Sequence, residues 1–100
     1  MQSAIRKLLT VITEAALENV LVKDLQRLGV QGYTITDARG RGSRGARTAA
    51  WSESSNIRVE IVCDAATAEA VAAHLRTRYY EDYAMILFVA DVAVLRSEKF

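Results

Sequence analysis

Four arginines, Arg39, Arg41, Arg44 and Arg47, alternate with three glycines, Gly40, Gly42 and Gly45, in a stretch that has no acidic residue between Asp37 and Glu53. Guanidinium forks suit planar and tetrahedral anions, and glycines let backbone N–H groups approach a ligand closely. The chemistry this implies is anion binding by a loop over residues 39–55. The plainer alternative is a solvated hairpin loop that happens to be basic. Trp51, further along, either packs the base of the loop or meets a partner.

A search for a catalytic set gives less. Cys63 and His74 stand eleven residues apart across a helix start, with no third group to orient them, and Ser43 has only arginines around it. One cysteine and one histidine make neither a disulfide nor a metal site, so no metal is expected and a reducing cytoplasm fits. The chain reads as a binding protein rather than an enzyme. The alternative is a small phosphate-ester hydrolase that uses the arginines to hold its substrate.

The elements that position this loop follow from periodicity. Residues 5–12 include the β-branched run Leu8-Leu9-Thr10-Val11-Ile12 and read as a strand, with Thr13 as the N-cap of a helix. Leu17, Val20, Leu21, Leu25 and Leu28 then recur at helical spacing, and Gly29 closes the helix. Residues 30–37 read as a second strand, with Gly32 inside it as a bulge or close contact. After the loop, Ile57, Val59 and Ile61 alternate with Arg58, Glu60 and Val62 in a third strand. Asp64 caps a second helix carrying Ala68, Val71, Ala72 and Leu75 on one stripe and ending in Arg76 and Arg78. His74 on that helix reads as an ordinary edge histidine. Tyr79, Tyr80 and Tyr83 fall in a polar aromatic turn, and residues 84–95, apolar except for Asp91, read as a strand buried on both faces.

This order, strand-helix-strand-strand-helix-strand, is the α+β ferredoxin-like βαββαβ arrangement: a four-stranded antiparallel sheet with two helices on one face. At 100 residues the chain makes one domain, 1–100, with a thin core. Yet 51% of its residues are hydrophobic and none is proline, more apolar surface than a small monomer hides, so association with further copies is expected. Thirteen basic against twelve acidic residues argue against a nucleic-acid or membrane partner. The third strand offers Arg58, Glu60 and Val62, not stacking aromatics, on its outward face, so RNA binding there is disfavoured. No stretch approaches the roughly 20 apolar residues that span a bilayer, and the amino-terminal apolar run is too short for a cleaved signal.

The run Gly29-Val30-Gln31-Gly32-Tyr33-Thr34-Ile35-Thr36-Asp37, followed by Arg39-Gly40-Arg41-Gly42, resembles the second strand and loop entry of P-II signal proteins. The resemblance continues through residues 58–62 and 91–96 and so covers nearly the whole chain. It implies a homotrimer with adenine nucleotides in its intersubunit clefts and a mobile loop that reports occupancy to a protein target. By position, Gly32, Thr34 and Asp37 would line the ribose and adenine side, with Glu60 and Val62 near the base. Gly40 and Gly42 would offer N–H groups to the phosphates, and Arg96 would reach them from a neighbouring subunit.

Departures from the family pattern shift that expectation. Residues 79–84 contain no glycine or lysine where standard members hold the outer phosphates of ATP, which favours ADP or AMP as ligand. Arg44 replaces a glutamine that helps hold magnesium and 2-oxoglutarate, and the loop has no tyrosine to accept a nucleotidyl group. The tyrosine-rich turn and the ending Leu95-Arg96-Ser97-Glu98-Lys99-Phe100 are closer to P-II-like proteins associated with carboxysomes and bicarbonate transport. The resemblance therefore implies a regulator of inorganic-carbon uptake, with a bicarbonate transporter as target and bicarbonate as second ligand near Arg41, Ser43 and Arg44.

Overall fold

The alternation over residues 57–62 is realised as β3 (Asn56–Cys63), whose Ile57, Val59 and Ile61 are fully buried while Arg58, Glu60 and Val62 face the other way. The computed structural model describes residues 3–40 and 55–96. β1 (Ala4–Glu14) lies at the centre of the sheet. It pairs with β3 from Lys7↔Cys63 to Glu14↔Asn56, and with β4 (Met85–Val94) from Ala4↔Val94 to Thr13↔Met85. Among the described residues β2 (Thr34–Ala38) pairs only with β3, so the order is β2-β3-β1-β4, antiparallel throughout.

Both helices cover one face of this sheet. Leu21 and Leu25 of α1 (Glu18–Arg27) and Val71 and Leu75 of α2 (Ala65–Tyr79) close over Leu9, Val11, Val59 and Ile61. Truncating any one of these to alanine removes buried methylenes and leaves a cavity, a cost of about 2–5 kcal/mol for a leucine. The expected ferredoxin-like fold is therefore present. No helix among the described residues is long and apolar enough to cross a membrane.

Several boundaries differ from those the sequence suggests. Thr13 does not cap a helix: β1 continues to Glu14, a single 3-10 turn follows (Ala15–Leu17), and the buried Thr13 hydroxyl donates to the Ala84 carbonyl at 2.8 Å. The Ala84 N–H in turn donates to Glu14 Oε2 at 3.0 Å, and the Ala15 N–H donates to the Ser55 carbonyl at 2.7 Å. The end of β1 thus pins both the turn before β4 and the chain entering β3. β2 starts at Thr34 instead of Val30, so Gly32 is no strand bulge. Tyr79 belongs to α2 and is buried.

The last strand is not buried on both faces in the single chain. β4 is an edge strand with Met85 and Leu87 packed against the core, whereas Ile86 and Phe88, on the open face beside Ile12 and Thr10, are 47% and 44% exposed. Val20, placed by its spacing in the first helix's apolar stripe, is likewise exposed. The expected loop residues Arg41, Gly42, Ser43, Arg44 and Trp51 lie outside the described residues.

Candidate functional site

The end of α1 delivers the chain to a cleft. Gly29 adopts φ +84°, its N–H donates to the Gln26 carbonyl at 3.1 Å, and the Val30 N–H donates to the Leu25 carbonyl at 3.0 Å. This pair of bonds is a Schellman motif, which turns the chain sharply and favours glycine at the left-handed position. Residues 29–32 leave the helix without joining the sheet, because the β2–β3 ladder begins only at Thr34↔Glu60. Between them and residues 61–64 with Thr67 lies an open cleft of about 410 Å³.

The cleft has a definite electrostatic character. Asp64 caps α2 by accepting from the Thr67 N–H at 2.8 Å, and that hydrogen bonding holds its carboxyl below the usual aspartate range, so it is ionised at neutral pH. Cys63 lines the same cleft; burial first, and the neighbouring Asp64 charge second, push its thiol up. A protonated thiol beside an anion is poorly nucleophilic. This end of the site suits an uncharged group better than a phosphate.

Following β2 and β3 along the open face leads away from that anion. Cα partners in an antiparallel ladder share a face, so Thr34 stands with Glu60, Thr36 with Arg58 and Ala38 with Asn56. Glu60 lies 3.6 Å from the Arg58 guanidinium. At the far end a smaller hollow of about 200 Å³ is bounded by Arg39, Gly40, Arg58, Ile12 and Ile86, among others. From Val62 to Arg58 the strand rises about 13 Å at its usual 3.3 Å per residue. A cleft whose one charged side chain is the Asp64 anion is thereby joined to a cationic hollow by one strand pair.

Of the residues singled out in the sequence, Gly32 and Val62 line the cleft, Thr34 and Glu60 face each other on the track, and Gly40 borders the hollow. Asp37 pairs with Ile57 and so points to the opposite face from Thr34 and Glu60. Arg96 follows β4, at the edge of the sheet opposite β2, three strand spacings or about 14 Å across. One chain does not bring it to the cleft. Gln31, Cys63, Asp64 and Thr67 were not singled out as site residues, although a glutamine between Gly29 and Gly32 in an otherwise apolar run is a usable signal. Among the described residues no group of three or more His, Cys, Asp or Glu side chains is placed to hold a metal ion.

A four-stranded antiparallel sheet in the order 2-3-1-4, backed by two helices and carrying this cleft at the β2 edge, places the protein in the ferredoxin-like class. The family described as nitrogen regulatory protein P-II matches residues 6–99, and the chain belongs to that family. Among solved structures, it is similar to a PII-like signalling protein from Thermus thermophilus, with 43% identity and a TM-score of 0.83 over 100% of this chain and 99% of that one. It is also similar to CPII from Thiomonas intermedia bound to ADP, AMP and acetate, with 25% identity and a TM-score of 0.83 over 100% and 98% of the two chains. The same Thiomonas protein bound to ADP and bicarbonate gives 25% identity and a TM-score of 0.82 over 99% and 97%.

Proposed function

We propose that this chain is a non-catalytic regulator that binds ADP or AMP between its subunits, senses bicarbonate, and signals to a protein of inorganic-carbon uptake, such as a bicarbonate transporter. The observation that carries the reading is the track from the cleft at residues 29–32 and 61–64 to the Arg39–Arg58 hollow. A nucleobase is uncharged and its phosphates are anionic, so the ligand is oriented base to cleft and phosphates to arginines. The Thiomonas relative bound to ADP and bicarbonate supports the choice of ligands. Gly32, Thr34, Glu60 and Val62 serve the nucleoside side, Gly40 and Gly42 the phosphates, and Arg41, Ser43 and Arg44 the bicarbonate, whereas Asp37, on the opposite face, is left out of the nucleoside set.

The trimer enters for two reasons. Ile86 and Phe88 remain exposed on the open face of a single chain, and Arg96 reaches a cleft only from another copy. Signalling proceeds through the arginine- and glycine-rich segment next to the phosphates.

Calorimetric titration with ADP and AMP, in bicarbonate and in chloride at matched pH and ionic strength, tests this reading. Allosteric coupling is typically about 1–3 kcal/mol, so bicarbonate is expected to tighten nucleotide binding about 5- to 150-fold, and nucleotide to tighten bicarbonate equally. Equal affinities in both salts remove bicarbonate but leave the nucleotide sensor. Release of phosphate with turnover favours the hydrolase reading instead.

Cys63 supplies an independent probe of where the nucleotide sits. With its thiol pushed up, it should react slowly with a disulfide reagent at pH 8 and more slowly still under saturating ADP, which covers the cleft. Identical rates with and without ADP would place the base elsewhere.

A further inference from the structure

We infer that Gln31 reads the nucleobase, through its carboxamide, at the 6-amino group of adenine. The inference rests on the adenine-nucleotide reading above and extends it to a residue that selects the base. Gln31 lines the cleft on the segment between the Schellman turn and the first β2–β3 pair, where the backbone has no ladder partner. It is exposed, and its carboxamide has no hydrogen-bond partner among the described residues. The flanking glycines leave room on both sides: a Cβ added at Gly29 or Gly32 would meet nothing within 4 Å.

The chemistry follows from what the cleft offers. Adenine presents a donor, its 6-amino group, beside a ring-nitrogen acceptor, and a carboxamide presents an acceptor beside a donor. The other polar side chains in the cleft match that edge less well. Asp64 is an acceptor alone and is engaged as the helix cap, Thr67 has a single hydroxyl, and the Cys63 thiol is a weak acceptor. Asp64 also keeps phosphates out of this end, so the base, not the phosphate tail, comes within reach of Gln31.

The test compares ADP with purine riboside 5′-diphosphate, which lacks only the 6-amino group, by calorimetry on the full-length protein and on its Gln31→Ala and Gln31→Glu variants. The parent should prefer ADP by about three- to tenfold, the worth of one ordinary hydrogen bond. Gln31→Ala should abolish that preference. Gln31→Glu, which keeps the acceptor oxygen but loses the donor, should bind both nucleotides more weakly and still prefer ADP. Because Gln31 is exposed and outside the ladder, the variants should retain the parent's circular dichroism.

Two outcomes overturn the inference. One is an unchanged ADP preference in Gln31→Ala; the other is a parent without any preference. Equal weakening of both nucleotides in Gln31→Ala, with the ratio kept, is a case of the first and would assign the residue a merely structural part. If the parent binds neither nucleotide, the adenine-nucleotide reading itself fails, and that result is separable from the others.

Discussion

Arg96→Ala is expected to weaken ADP binding by about 1.5–3 kcal/mol, roughly 10- to 150-fold, while leaving assembly intact. The loss is that of a charge-assisted, bidentate contact between a guanidinium and a phosphate. Assembly should survive because Arg96 is exposed and lies beyond Val94↔Ala4, the last pair of the β1–β4 ladder. Sedimentation equilibrium should therefore report the same trimer for parent and variant. A monomeric parent at micromolar concentration would remove both the trimer and the shared site.

The sheet order adds a sharper form of this test. β2 and β4 are opposite edges, so an Arg96 that serves the cleft must come from a second copy. Gly32→Trp should fill the cleft of its own chain, since a Cβ there meets nothing and the indole has room to enter. Mixing it with Arg96→Ala pairs an intact cleft with an intact arginine in about a quarter of the sites if subunits exchange at random. Recovery of that fraction at parental affinity identifies an intersubunit site. No recovery means that the arginine acts within its own chain or not at all.

The order of elements was legible because each carries a local signal. The alternation around Arg58 and Glu60 makes β3 regardless of context, Asp64 caps α2 in the way its position suggests, and Gly29 ends α1. What local pattern could not show depends on distant partners. Residues 30–37 together are β-branched and aromatic enough for a strand, yet the ladder stops at Thr34↔Glu60, and that early stop opens the cleft. Thr13 has the chemistry of a cap, but Glu14 pairs with Asn56 and holds the segment in the sheet. On β4, apolar residues read as doubly buried because sequence does not say whether the covering face belongs to the same chain. The cationic stretch was visible as composition and Gln31 left a signal between two glycines, whereas Asp64 and Thr67 read only as a helix start until the fold set them beside residues 29–32.

Tyr79 is the clearest case of a long-range partner overriding local reading, and it carries the largest expected effect on stability. Its hydroxyl donates to Asp24 Oδ2, and Arg78 Nη1 donates to Oδ1 at 2.5 Å. His74 Nε2 stands 3.4 Å from the same carboxylate and Arg27 3.7 Å from it, while Asp24 is 1% exposed. The Arg78 guanidinium also lies 5.2 Å from the Tyr79 ring centre. A carboxylate buried this deeply is tolerable only with its donors in place, so it fastens α1 to the end of α2. Asp24→Ala removes the anion, leaves the buried Tyr79 hydroxyl without its acceptor and crowds the cations. Two hydrogen bonds to a charged group are lost at once, from Tyr79 and from Arg78, so the expected loss is about 3–5 kcal/mol, a large share of a small domain's stability. Asp24→Asn, which keeps the shape and an acceptor, should lose less.

The same network sets an alkaline limit. Burial first, and then the hydrogen bond and charge of Asp24, push the Tyr79 hydroxyl from 10.0 up to about 12. The folded state thus holds this proton more tightly than the unfolded chain does. Its contribution is complete below pH 10 and is lost as the pH rises toward 12, because over that interval the unfolded chain binds fewer protons. Urea midpoints measured between pH 8 and 11 should fall more steeply in the parent than in Tyr79→Phe, which starts lower but has no such proton to lose. Parallel decline in the two proteins would mean that Tyr79 does not couple folding to alkaline pH.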